Sequence, residues 1–397
     1  MSCDAVVMWD EGFLGYNFGH HPMDPQRLRL TVELARQLGV LDRVEVAAPA
    51  PADDQTLLLA HTPAYLGALR DASQQRGYHG FGLGTTDNPA FPGVFDASAL
   101  IGGGSAEAAR RVWAAPGGHA VNIAGGLHHA MPEEAAGFCT VNDAVIAIRV
   151  LRQLGAARVA YVDIDAHHGD GVEAAFAEDP AVLTISIHQD PRTLFPGTGR
   201  SGDIGRGAGE GTAINVPVPP ETTDPDWMRA FQAIVPGALR AFAPDVLVTQ
   251  CGCDSHHRDP LTELALSIEG QRAAIAALHA LAHELAGGRW LALGGGGYNI
   301  AGCVPLTWTH LIAEMSGHPI DLHAPTPQAW RDDVHRTLIA PAPARMGELP
   351  DEVAARLADL AARRWELGGD DPVDRAVLAT RRAVFPLLGL DPDDPRD

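Results

Sequence analysis

The stretch Asp163-Ile164-Asp165-Ala166-His167-His168-Gly169-Asp170 puts three carboxylates and two imidazoles into eight residues. Ionisable groups at that density beside apolar chain are costly to desolvate unless they pair or hold a cation. Side chains two apart on an extended chain face the same way, so Asp163, Asp165 and His167 are expected on one side, with Asp165 and His167 forming a metal chelate. Asp170, just before Gly171-Val172-Glu173, has the simpler option of capping the next helix.

A third ligand is offered by Asp254, at the end of Cys251-Gly252-Cys253-Asp254. Two carboxylates and one histidine leave a divalent ion an open position for water or substrate, which is the arrangement of a catalytic rather than a structural site. His128 and His129 follow Gly125-Gly126, and on a loop both rings can reach one pocket. They would supply proton transfer, with Asp163 and Asp170 each able to fix one imidazole tautomer. Tyr298, after four consecutive glycines at 294–297, adds a hydroxyl donor for a developing oxyanion.

These groups need a scaffold that gathers them. Arg158-Val159-Ala160-Tyr161-Val162 is an apolar, β-branched run that reads as a buried parallel strand, and the polar cluster falls at its C-terminal end, where open α/β sheets bind ligands. Strands at 158–164, 182–188, 245–250 and 290–293 alternate with helices at 172–178, 226–242, 268–285 and 302–316, which is βαβ logic. Further helices are expected from about residue 26 to Gly39, from Thr62-Pro63, and over 97–113, the last interrupted by Gly102-Gly103-Gly104. Periodicity places Arg27 and Arg29 on a solvated face. Residues 77–93, rich in Gly, Pro, Asn and Asp, read as a long surface loop in which Asp87 turns the chain. Leu194-Phe195-Pro196-Gly197-Thr198-Gly199 forms a turn with an exposed aromatic.

Composition narrows the chemistry. All 29 basic residues are arginine, which excludes a Walker-type phosphate loop, a Schiff-base enzyme and a Ser-x-x-Lys hydrolase. The net charge of -21 disfavours sequence-independent nucleic-acid binding. Five cysteines at 3, 139, 251, 253 and 303 contain no Cys-x-x-Cys pair, and no apolar run approaches ~18 residues, so a cytoplasmic chain with neither disulfide framework nor membrane span is expected. Its 397 residues and 46% hydrophobic content support a substantial core.

Taken together, His21-Pro22-Met23 with Arg27, Asp87, His128-His129, Gly137-Phe138-Cys139, residues 163–171, Phe195-Pro196-Gly197-Thr198-Gly199, Asp254 and residues 294–298 resemble the zinc-dependent histone deacetylase superfamily, most closely its bacterial acetoin-utilisation branch. The resemblance covers most of residues 15–316. It implies a three-layer arginase/deacetylase-like α/β fold, a central mostly parallel sheet flanked by helices. Residues 1–320 would form the catalytic domain and 321–397 a mainly helical extension packed on it, with helices at 352–364 and 373–383.

The same resemblance implies removal of acetyl groups from acetyl-lysine in proteins. Asp165, His167 and Asp254 would bind zinc, His129 would act as general base and then acid, and His128 as its electrostatic partner, with Asp163 and Asp170 behind the two rings. Tyr298 would polarise the acetyl carbonyl. Gly137, Phe138 and Phe195 match the acyl-lysine tunnel, Asp87 the rim aspartate that holds the substrate backbone, and Arg27 an arginine lining an internal cavity. A potassium site would use Asp163, Asp165, His167, Ser186 and Ile187. Ser255-His256-His257-Arg258 departs from the eukaryotic pattern, and Pro260 stands where some relatives carry an inositol-phosphate arginine.

Within the same family an acetylpolyamine or other small acetylamide hydrolase is the competing reading. Outside it, Asp165-Ala166-His167 also resembles the core of a binuclear manganese ureohydrolase, which needs a carboxylate where this chain has Gly169. A catalytically dead acyl-lysine-binding scaffold is the non-enzymatic option, and retention of all three ligands with Tyr298 argues against it.

Overall fold

A computed structural model describes residues 5–397 other than 76, 351, 357–364 and 366–370. Eight strands form one sheet: β1 (Ala5–Met8), β2 (Glu45–Ala47), β3 (His119–Asn122), β4 (Val159–Asp163), β5 (Val182–Gln189), β6 (Ala213–Val218), β7 (Val246–Gln250) and β8 (Trp290–Leu293). Their order is β2-β1-β3-β8-β7-β4-β5-β6, and every pairing is parallel. A parallel sheet must be covered on both faces, and its strands accordingly read as continuous apolar runs such as Trp-Leu-Ala-Leu in β8. Helices Val94–Ala114 and Asp143–Gln153 pack together on one face; Asp224–Phe242, Ile268–Leu285 and Val304–Met315 lie on the other. The result is three layers around an aliphatic core in which Trp227, Trp290, Trp308 and Trp330 are fully buried.

Several expectations are corrected. The helix over Val94–Ala114 runs unbroken through its three glycines. These are contact points rather than a break: a Cβ on Gly103 would lie 2.1 Å from the Ala50 carbonyl oxygen, so only glycine lets the loop before Asp53 approach this closely. Arg27 is not solvated but 2% exposed, with its guanidinium 5.1 Å over Trp308. Arg29 does reach the surface, where it pairs with Asp333 at 2.7 Å.

Residues beyond 320 pack against the sheet domain. Trp330 Nε1 donates to the Leu30 carbonyl at 2.9 Å, and the helix Pro372–Val384 covers the β6 edge, where Thr380 Oγ1 donates to the Asn215 carbonyl at 2.6 Å. The expected helix at 352–364 lies largely outside the described residues.

Candidate active site

Four neighbouring strands at the centre of the sheet, β3, β8, β7 and β4, end side by side, and each is followed by a loop carrying part of the site. The loop after β3 brings His128 and His129, that after β8 brings Tyr298, that after β7 brings Asp254, and that after β4 brings Asp165, His167 and Asp170.

The convergence after β4 is not achieved by strand alternation, because β4 stops at Asp163. Two successive side-chain turns take over: Asp163 Oδ1 accepts from Asp165 N at 3.1 Å, and Asp165 Oδ1 accepts from His167 N at 2.9 Å. His167 Nδ1 then lies 3.0 Å from Asp165 Oδ1 and 2.9 Å from Asp254 Oδ2. The three donor atoms fall within 4.8 Å of one another.

Asp165 and Asp254 have no solvent exposure. Burial and the Asp165 carboxylate push Asp254 up to about 6. Burial also works against ionisation of Asp165, yet the His128 charge and the His167 hydrogen bond hold it well below the usual carboxylate range. Burial likewise opposes a charge on His167, but Asp254 and Asp165 outweigh it and raise the ring to about 10. The trio therefore demands positive charge at its centre, and a divalent ion fits that demand. The space is kept open by sequence: a Cβ on Gly296 would sit 2.0 Å from Asp254 Oδ2. The remaining oxygens are held in place, Asp165 Oδ2 by Gln250 Nε2 (2.7 Å) and Gly296 N (2.8 Å), and Asp254 Oδ1 by Ala166 N (2.8 Å). Gln250 escapes a reading of the sequence; its one signal is a polar residue ending an otherwise apolar strand.

Gly169, where a binuclear ureohydrolase needs a carboxylate, has no room for a side chain as the site stands: a Cβ there would lie 2.4 Å from Asp163 Oδ2 and 3.3 Å from His128 Nδ1.

His128 Nδ1 meets Asp163 Oδ2 at 2.7 Å, and Tyr161 Oη donates to the same oxygen at 2.7 Å. His129 Nδ1 meets Asp170 Oδ1 at 2.7 Å, so Asp170 serves the imidazole and makes no side-chain cap for the helix it begins. Burial disfavours the charged form of both rings. In His128 the Asp163 carboxylate overrides it, with Asp165 and Asp170, and lifts the ring to about 9. In His129 burial and the neighbouring His128 charge prevail, and the ring drops to about 4.

A cavity of about 220 Å³ runs from the surface to this centre, lined by Asp87, His129, Gly137, Phe138, His167, Leu194, Phe195, Leu261 and Tyr298. Phe138 stands edge-on to Tyr298 (5.7 Å) and Phe195 edge-on to His129 (5.0 Å), which makes two aromatic walls. Asp87 is exposed at the rim. A narrower cavity behind adds Met23, His128, Cys139, Asp165 and Gly295. His129 and Tyr298 line both spaces, whereas His128 lines only the inner one. Arg27 donates to the Gly295 carbonyl at 2.7 Å and so braces the loop that carries Tyr298.

That loop is also held by a residue the sequence did not flag: Asp259 Oδ2 accepts from Tyr298 N at 2.8 Å. The unassigned stretch before it is anchored from the C-terminal segment, His256 Nε2 meeting Glu348 Oε1 at 2.9 Å. Ser186 and Ile187 lie on β5, with Ser186 in register with Asp163. Ser186 Oγ is engaged with His188 Nδ1 at 2.8 Å.

A fold with all its chemistry at the ends of four central parallel strands, and a carboxylate–histidine trio beside paired histidines and a tyrosine, defines a deacetylase-type hydrolase. Residues 21–315 match the family described as histone deacetylase domain, and the chain belongs to that family. It is 38% identical over 333 residues to the acetoin utilization protein AcuC of Bacillus subtilis (strain 168), an alignment covering 82% of this chain and 85% of that protein. The AcuC proteins of Staphylococcus aureus (strain MSSA476) and Staphylococcus xylosus are each 34% identical, over 80% and 77% of this chain and 83% and 80% of theirs. Among the described residues no helix is long and apolar enough to cross a membrane.

Proposed function

We propose that this protein is a zinc-dependent lysine deacetylase acting in the cytoplasm on acetylated proteins and releasing acetate. The observation that carries the reading is the cavity from exposed Asp87, between Phe138 and Phe195, down to His167, whose ring clusters with Asp165 and Asp254. An acetyl-lysine side chain is a narrow apolar stem ending in an amide, and the two aromatic walls suit the stem.

Asp165, His167 and Asp254 would hold the zinc, which when bound acts as a Lewis acid toward the amide carbonyl and acidifies water. His129, neutral and open to both cavities, is placed to take a proton from the attacking water and return it to the leaving amine. His128, charged and confined to the inner cavity, keeps positive potential at the reacting carbonyl. The Tyr298 hydroxyl donates to the carbonyl oxygen as negative charge develops there. A potassium ion beside Asp163, Asp165, His167, Ser186 and Ile187 is proposed on family likeness.

Zinc-loaded protein should hydrolyse acetyl-lysine peptides with higher kcat/KM than acetylated polyamines. Asp87 is the discriminating residue: a rim carboxylate can accept from the backbone N–H groups flanking an acetyl-lysine, at about 1.5 to 3 kcal/mol each. Asp87→Ala should therefore lower kcat/KM on peptides roughly ten- to a hundred-fold per bond lost and spare small acetylamides. Equal losses on both, with metal and fold intact, would favour a small-molecule amidohydrolase.

A further inference from the structure

We propose that His119, His279 and His283 form a second metal site, separate from the catalytic centre, that takes a nitrogen-preferring transition ion of the zinc class. His119 is the first residue of β3 and is in register with Trp290, the first residue of β8. Because the strands are parallel, this cluster lies at the opposite end of the sheet from the catalytic loops. His279 and His283 sit four residues apart on the helix Ile268–Leu285 and so share one face. His279 stacks on the Trp290 indole at 5.3 Å, and the His119 ring stands edge-on to both helix histidines at 4.9 and 5.1 Å. One ring nitrogen from each falls within 4.8 Å of the other two.

The second observation is an orphaned atom. His119 Nδ1 donates to the Met315 carbonyl at 3.0 Å, which leaves the lone pair on Nε2. His119 is 1% exposed, and its Nε2 has no hydrogen-bond partner. Buried polar atoms are nearly always satisfied, and an imidazole fixed through one nitrogen to a backbone carbonyl while the other stays bare is how metal-bound histidines are held.

His279 and His283 present their Nε2 atoms to each other at 3.1 Å. A tetrahedral ion with N–metal bonds of about 2.0–2.1 Å would hold its ligands about 3.3 Å apart, so little movement is required. The set contains imidazoles alone, which selects against magnesium and calcium. His119 is buried but His279 and His283 are not, so the cluster can be approached from the helix side.

An ion here would tie β3 to the helix Ile268–Leu285, a structural role that leaves turnover untouched. The test is metal content of the full chain after zinc loading and desalting. Wild type should retain two zinc ions, and His279→Gln one, with kcat/KM within about twofold of wild type showing that the variant is folded. Asp254→Asn, which leaves the histidine cluster alone, should keep one zinc, and combining it with His279→Gln should leave none. One zinc in wild type, two in His279→Gln, or a zinc that survives the double substitution would overturn the site.

Discussion

His128 and His129 face each other through their Nε2 atoms at 3.0 Å, while their Nδ1 atoms are tied to different carboxylates. Adjacent residues thus carry opposite protonation states, because a proton on His128 opposes one on His129 across that short gap.

Asp170→Asn tests this arrangement. The Asp170 hydrogen bond raises the His129 value against burial and the His128 charge. Without it, His129 becomes a weaker base whose value falls further, so the acid limb of kcat/KM should move to lower pH. The plateau should drop roughly 10²-fold or more, since the tautomer is also released. A pH profile that keeps both limb and plateau would remove Asp170 from the mechanism.

Tyr298 is pushed well above the ordinary phenol value by burial and by Asp254 and Asp165, so it remains a donor at any working pH. Tyr298→Phe should lower kcat roughly 10²-fold or more with a smaller change in substrate binding. Steady-state kinetics on folded, metal-loaded variant would show this, and near-wild-type kcat would exclude the hydroxyl as oxyanion donor.

Arg381 controls stability rather than chemistry. It is fully buried, lies 4.7 Å over Trp365 and 4.2 Å over Phe385, and donates to the carbonyls of Pro392, Ala233, Asp397, Asp391 and Asp394. Arg381→Met leaves those acceptors unanswered and should destabilise the chain by about 3 kcal/mol or more in chemical denaturation. Unchanged denaturation midpoint and slope would mean that the C-terminal segment adds nothing to the fold's stability.

Much of the site is legible in the sequence because its groups sit where apolar strands end: Asp165 and His167 follow Val159-Ala160-Tyr161-Val162, and Asp254 follows Val246-Leu247-Val248-Thr249. The hydroxyl donor proposed beside them, Tyr298, is marked by the four glycines before it. What the sequence hides has physical causes. β2 is three residues long and largely exposed, too short for a periodic signal. β6 contains Pro217, tolerable at a sheet edge but a poor strand signal. The glycines of the helix Val94–Ala114 answer to a neighbouring backbone, which propensity cannot see. Arg27 fits a solvated face by periodicity and is instead buried under the Tyr298 loop. Gln250, Asp259 and the cluster of His119 with His279 are contacts between segments distant in the chain.

The order β3-β8-β7-β4 has a kinetic meaning. Those four strands span residues 119 to 293, and β8, formed last along the chain, inserts between β3 and β7 at the middle of the sheet. The histidine pair and the tyrosine lie at the two ends of the stretch from 128 to 298, so the complete site needs that whole stretch, whereas Asp165, His167 and Asp254 need only the β4–β7 pairing. Assembly waits on closing long loops, a slow kind of contact to make. Metal captured by the finished centre then acts chiefly by slowing its opening, a brake on unfolding rather than a nucleus for folding.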